Sequence, residues 1–258
     1  LKICLVVPAY NEERRISPTL DGFITLLKRY SGLLIIVSVQ GNDGTADIVK
    51  RYAKKYHRIR LLDARGTLGK GRNLMQGFGA ALKLNPDVVG FADADVSVSP
   101  RELTKLIDAM EDSELKAVIA SRYMKGSRII GDMKASRLFA SRAHNLMVRI
   151  LFGLNLSDTQ CGAKLFRASA LRSIMRDFQL TDMSFDTNLL YEMSRRDLKI
   201  KEIPITYRIV NEDSKVQVWK QIPKMFTITL SYRITRSPLN SLFPPKFKLM
   251  MYNWVKEW

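Results

Sequence analysis

The chain has 258 residues, room for one large domain or two small ones, and its 46% hydrophobic content is what a packed core requires. With 42 Lys and Arg against 25 Asp and Glu the formal charge is +17, which directs the search for a partner to anions: nucleotide, phosphate, acidic lipid or nucleic acid. Two cysteines, Cys4 and Cys161, are too few for a disulfide framework and offer no metal-ligand spacing, so they read as free thiols of a reducing compartment. No apolar run reaches the roughly 18 to 20 residues of a spanning helix, and the opening lacks the regions of a signal peptide. The expected location is the cytoplasmic face of a membrane.

In chain order, short β-branched runs alternate with helical patterns, the arrangement of a mostly parallel sheet covered on both faces. Strands are expected at residues 3–7, 33–39, 59–62, 88–92 and 117–121, with helices beginning near Ser17-Pro18, Thr45, Lys70 and Ser99-Pro100. At the last of these Ser99 is expected to cap, Pro100 suits the first helical position, and Glu102 completes a capping box. Beyond Arg122 a loop at residues 125–131 precedes a helix over 136–151. There Leu138, Phe139, Ala143, Leu146, Met147, Ile150 and Leu151 recur at helical spacing, interrupted by Arg137, Arg142 and Arg149. Such a basic amphipathic helix suits lipid headgroups, or a surface helix burying one stripe. Residues 219–258 mix Lys and Arg with Trp219, Phe226, Tyr232, Phe243, Phe247, Tyr252 and Trp254, split by Pro244-Pro245, and are expected to form membrane-interface helices following a catalytic domain at 1–218.

Chemistry is most legible in Asp93-Ala94-Asp95, directly after the strand at 88–92. In an open α/β sheet, ligands bind beyond the carboxyl ends of strands, and residues two apart in an extended chain project to one side. Two such carboxylates suit a hard cation, Mn²⁺ or Mg²⁺, shared with substrate phosphates. A second strand end, Val6-Val7-Pro8-Ala9-Tyr10-Asn11-Glu12-Glu13, offers an aromatic face and polar groups for a base and ribose.

Together these segments resemble the inverting glycosyltransferases of the GT-A fold, in which a PAYNEE run opens the donor site. Arg65-Gly66 and Lys70-Gly71 look like that family's basic loop. Residues 158–166, DTQCGAKLF, and Phe185-Asp186 with Leu189-Leu190 are similar to the branch containing dolichyl-phosphate mannose and dolichyl-phosphate glucose synthases. The resemblance spans roughly residues 1–235 and implies a Rossmann-like GT-A domain, a nucleotide-sugar donor (GDP-mannose or UDP-glucose), a polyprenyl phosphate acceptor at an anionic membrane surface, and Mn²⁺ or Mg²⁺ as cofactor.

Carried over position by position, it implies that Pro8, Ala9, Tyr10, Glu12, Gln40, Lys70, Asp93, Ala94 and Asp95 hold the donor, with Asp93 and Asp95 on the metal. Asp93, Asp95 and Asp186 form the catalytic set, and Arg122, Arg137 and Ser141 hold the acceptor phosphate. Arginine suits that task because its planar fork grips phosphate oxygens with two hydrogen bonds. The chain departs from the pattern at Gln40-Gly41-Asn42-Asp43-Gly44, where relatives carry Asp-Asp-Gly, at Ser97 in place of a Gln, and at Met75 in place of an Arg. Three rivals stand beside this reading. A hydroxyl acceptor would need a carboxylate base, Asp158 or Asp186; a nucleotidyltransferase could share the architecture; a nucleic-acid binder is disfavoured, because no nucleic-acid module is visible.

Overall fold

The computed structural model describes residues 1–64, 69–132, 135–178, 184–210 and 218–235, excepting the side chains of 136, 137, 218–224 and 235. The loop pair Arg65-Gly66, the Arg137 side chain and residues 236–258 therefore lie outside the described residues.

The first half alternates β1 (Ile3–Tyr10), α1 (Ile16–Arg29), β2 (Leu33–Gln40), α2 (Thr45–Lys55), β3 (Ile59–Asp63), α3 (Lys70–Leu82), β4 (Val88–Ala92), α4 (Pro100–Ala109) and β5 (Ala117–Ser121). All five expected strands and four helix starts are present within a few residues. The capping box is not: Ser99 makes no side-chain cap bond, and Glu102 pairs with Lys105 at 2.6 Å instead. An i,i+3 ion pair has outcompeted the reach back to the helix start.

Beyond β5 come β6 (Arg128–Ile130), α5 (Ala135–Phe152), β7 (Ala163–Arg167), α6 (Ala168–Ile174) with a 3-10 turn, α7 (Phe185–Ser194), β8 (Ile200–Pro204), β9 (Thr206–Arg208) and α8 (Val218–Thr235). The loop expected at 125–131 thus contains strand β6, which pairs with β9 in a two-stranded sheet.

The main sheet runs in the order β3-β2-β1-β4-β7-β5-β8, and β7 lies antiparallel between β4 and β5. Period-two alternation along β1 splits the core in two. Ile3, Leu5, Val7 and Ala9 pack toward α1, α2 and α4, while Cys4 and Val6 face the cluster that includes Leu74, Phe78, Phe166 and Leu190. Helix α3 approaches β1 so closely that a Cβ on Gly77 would lie 2.4 Å from Val6 Cγ1. Both cysteines are buried and free.

The order in which strands are added to the sheet reverses at β1, flanked by the parallel strands β2 on one side and β4 on the other, so a crevice opens beyond their carboxyl ends. Pairing of β1 with β4 stops at Val6 opposite Phe91, so Pro8, which has no N–H to donate, sits where that ladder has already ended. Tyr10 and Asp93 therefore leave the sheet on either side of one opening.

Candidate active site at the switch point

Asp93 and Asp95 stand at the mouth of β4. The Asp93 N–H donates to the Gly162 carbonyl at 2.9 Å, and Thr19 Oγ1 of α1 donates to the Ala94 carbonyl at 2.6 Å, so the turn is held from two sides. Ser97 N–H donates to Asp95 Oδ1 at 3.0 Å. Between them Val96 has φ +58°, a left-handed conformation costly for a β-branched residue. Burial, and then the charge of Asp93, push the Asp95 carboxyl above its ordinary range. Two hard oxygen donors that repel each other fit Mn²⁺ or Mg²⁺. Among the described residues no group of three or more His, Cys, Asp or Glu could hold a metal, so the remaining ligands would come from substrate phosphate and water.

Lys70 opens α3 and reaches this turn, its Nζ 2.7 Å from Asp93 Oδ1 and 5.6 Å from the Phe91 ring centre. Burial alone would lower the ammonium, but Asp93, Asp186 and Asp95 outweigh it and hold Lys70 above its usual value. Across the opening Tyr10 is 57% exposed, a free aromatic face, while Ala9, Ala94 and Gln40 are buried and Pro8 is half-buried. The Glu12 carboxylate forks onto Arg15 with two contacts of 2.6 Å, and its N–H donates to Thr45 Oγ1 at 2.8 Å. Asn11, at φ +52°, accepts from Asn42 N–H at 3.1 Å, and Asp43 accepts from Glu13 N–H at 3.2 Å. The departing segment 40–44 is thus laced to the PAYNEE run.

A second cluster lies behind β7. Asp186, at the start of α7, pairs with the fully buried Lys164 at 2.5 Å, and Lys164 also donates to the Cys161 carbonyl at 2.7 Å. Asp158 is fully buried and takes both arms of Arg122, Nε at 2.6 Å and Nη2 at 2.9 Å, together with the Arg122 and Gln160 N–H groups at 3.0 and 3.1 Å. Burial opposes its ionisation, yet Arg122 prevails and holds the Asp158 carboxyl below the usual range. Burial pushes the Cys161 thiol up to about 12, so it is a packing group and not a nucleophile.

Ser141 lies on α5, its hydroxyl 2.8 Å from the Tyr123 hydroxyl. The structure brings Asp93, Asp95, Lys70 and Asp186 into one electrostatic cluster. It connects Arg122 and Ser141 through Tyr123 and turns the Arg122 fork inward to Asp158. Sequence reasoning passed over Lys164 as a charge partner and Tyr123 and Tyr207 as stacking faces. The Arg122 guanidinium carbon lies 5.0 Å from the Tyr123 ring centre and 5.3 Å from that of Tyr207. A lysine inside an apolar strand and a tyrosine directly after an arginine were the available signals.

The outward side of α5 carries Phe139, Leu146 and Ile150 exposed at 75%, 56% and 72%, while His144, Asn145 and Val148 are buried. Helix α8 packs alongside, exposing Phe226 and Leu230 and burying Ile228 and Tyr232. The Tyr232 hydroxyl donates to Glu192 at 2.8 Å. Neither helix sequence contains an acidic residue, and no helix among the described residues is long and apolar enough to cross a membrane.

An open sheet with one antiparallel strand, an Asp-x-Asp turn at its switch point and a lysine reaching that turn from the start of the preceding helix define the GT-A class of α/β fold. The profile of glycosyl transferase family 2 matches residues 4–175, and the chain belongs to that family. It is 31% identical over 229 residues to a dolichyl-phosphate beta-glucosyltransferase of Trichomonas vaginalis, covering 83% of this chain and 65% of that protein. It is 29% identical over 208 residues to an undecaprenyl-phosphate mannosyltransferase of Micrococcus luteus, covering 80% and 84%. A third relative, Glycosyltransferase AglD of Haloferax volcanii, is 29% identical over 248 residues, 92% of this chain but 39% of its own length. The chain thus spans less than two thirds of two of these relatives. Among solved structures, glucosyl-3-phosphoglycerate synthase from Mycobacterium tuberculosis, in complex with Mn²⁺, UDP-glucose and phosphoglyceric acid, shares the fold with a TM-score of 0.66 at 18% identity, over 90% of this chain and 79% of that one.

Proposed function

We propose that the chain is a hexosyltransferase that moves glucose or mannose from UDP-glucose or GDP-mannose to a polyprenyl phosphate at a membrane surface, using Mn²⁺ or Mg²⁺. One observation favours a phosphate acceptor over a hydroxyl: both carboxylates that could serve as general base are already neutralised, Asp158 by Arg122 and Asp186 by Lys164. An alcohol nucleophile needs a base to take its proton, whereas a phosphate monoester is anionic near neutral pH. The names of the Trichomonas and Micrococcus relatives support the same acceptor class.

On this reading Tyr10 and the 40–44 segment receive the nucleoside, and Lys70 holds a positive charge at the diphosphate. Asp93 and Asp95 would hold the divalent ion, which when bound neutralises charge on the departing nucleoside diphosphate. An acceptor phosphate oxygen attacks C1 of the sugar as the bond to the diphosphate oxygen breaks, and the configuration inverts. No proton moves in this step, in keeping with the pairing of Asp158 and Asp186 to cations. Residues 219–258 provide the membrane-interface part that follows the catalytic domain at 1–218, on the cytoplasmic side, and the acid-free helix α5 of the catalytic domain adds to that surface.

Mass spectrometry of products from each donor with polyprenyl phosphate and Mn²⁺ or Mg²⁺ tests the proposal. A hexosyl phosphopolyprenol from one donor identifies the reaction and the donor together. A glycosylated polyprenol, formed when the alcohol replaces the phosphate, would overturn the acceptor assignment.

A further inference from the structure

We propose that Arg142, stacked on Tyr123 beside Ser141, is a binding residue for the acceptor's phosphate monoester; this rests on the anionic-acceptor reading above. The Arg142 guanidinium carbon lies 4.4 Å from the Tyr123 ring centre, and Arg122 stands 5.0 Å from the same ring. The Tyr123 hydroxyl is hydrogen-bonded to Ser141 Oγ. One tyrosine thus joins three groups, two arginines and a serine hydroxyl, beside the middle of α5.

Their charges are not equivalent. Arg122 is largely buried and bidentate to Asp158, so the pair presents little net charge to an incoming anion. Arg142 is exposed, and among the described residues no carboxylate is recorded at ion-pair distance from it. Stacking on Tyr123 fixes the plane of its fork without consuming its N–H donors, which leaves them for phosphate oxygens.

The surroundings match an amphiphile. Phe139 lies three residues before Arg142 and Leu146 four after, with Ile150 one turn further, so the exposed apolar stripe of α5 begins beside the cation. A polyprenyl phosphate has the complementary layout, an anionic head on a long apolar tail. The head would rest on Arg142, Tyr123 and Ser141 while the tail follows Leu146 and Ile150.

Two sources of phosphate chemistry compete for Arg142, the acceptor and the bilayer headgroups, and the test separates them. Binding of farnesyl phosphate and of farnesol is measured in neutral maltoside micelles, for the wild-type chain and for Arg142→Gln, Arg142→Lys and Tyr123→Leu. The expected wild-type result is tighter binding of the phosphate than of the alcohol. Arg142→Gln should weaken phosphate binding about tenfold, the size of one charge-assisted contact, and leave the alcohol unchanged. Tyr123→Leu should show a similar loss, and Arg142→Lys a smaller one. A wild type indifferent to the phosphate would sink the acceptor reading together with the inference. A wild type that prefers the phosphate, with Arg142→Gln retaining that preference, overturns the inference alone. If Arg142→Gln changes only partitioning to phosphatidylglycerol vesicles, Arg142 serves the bilayer and the inference is likewise wrong.

Discussion

The halves of the molecule before and after α4 are held together by different means. In the first, each strand is followed by a helix that returns over the sheet, and apolar alternation alone says which face each residue covers. In the second, buried ions and polar groups join distant segments: Arg122 with Asp158, Lys164 with Asp186, Glu202 with the Ser157 and Asp158 N–H groups, Tyr232 with Glu192. A hydrophobic layer tolerates substitution when volume is kept, whereas a buried pair loses most when one partner is left alone. The second half should therefore be the brittle one.

That contrast can be broken most directly at its strongest pair. Asp158→Asn leaves Arg122 buried opposite a neutral amide and should cost about 3 to 5 kcal/mol in urea unfolding, whereas Val7→Ile in the first half should cost about 1 to 3; equal losses would erase the distinction. Asp95→Asn should lower turnover about a hundredfold or more while leaving the unfolding midpoint nearly unchanged, since this carboxylate is raised by burial and by Asp93 and does not stabilise the fold. A thermal shift as large as that of Asp158→Asn would make it structural.

The third test uses His144, whose ring nitrogens are buried without partners among the described residues and whose pKa burial lowers to about 4. A folded value below the unfolded 6.5 means the unfolded chain takes up the proton first. Stability is thus full above pH 6.5 and falls as pH drops toward 4, by about 2 kcal/mol between pH 7 and pH 5. Urea midpoints at the two pH values measure it, and His144→Met should flatten the difference. The smallest effect is expected at the Asp-x-Asp turn: Val96→Gly relieves a left-handed backbone and should stabilise by about 1 kcal/mol in a thermal melt.

Much of the first half could be read directly from residue order. The run at 88–92 gave its strand boundaries correctly, and the placement of Asp93 and Asp95 at a strand end followed from it. The second half resisted the same reading because its polar residues are inside. Strand β7 contains Lys164, and α7 buries Asp186, Asn188 and Glu192, so period and polarity point the wrong way until the partners are known. Helix α5 was located within a residue at each end, but His144 and Asn145 occupy its buried side while Phe139 and Ile150 face out. The short pairing of β6 with β9 joins residues about 80 apart, and three-residue strands carry too little alternation to announce themselves.

The bond between Asp93 N–H and the Gly162 carbonyl has a consequence for synthesis of the protein. The carboxylate turn is complete in sequence by residue 97, yet its backbone anchor and the neighbour of β4 arrive with residues 162–167. A Cβ at position 162 would stand 2.0 Å from Asp93 Oδ2, so a side chain there would displace the Asp93 carboxylate. A chain synthesised only through the first half would have a raw sheet edge at β4, and the turn gains its second anchor when β7 pairs beside it. A nascent chain stopped before β7 would hold the Asp-x-Asp turn by its Thr19 anchor alone, and would offer the unpaired edge of β4 to chaperones or to another copy.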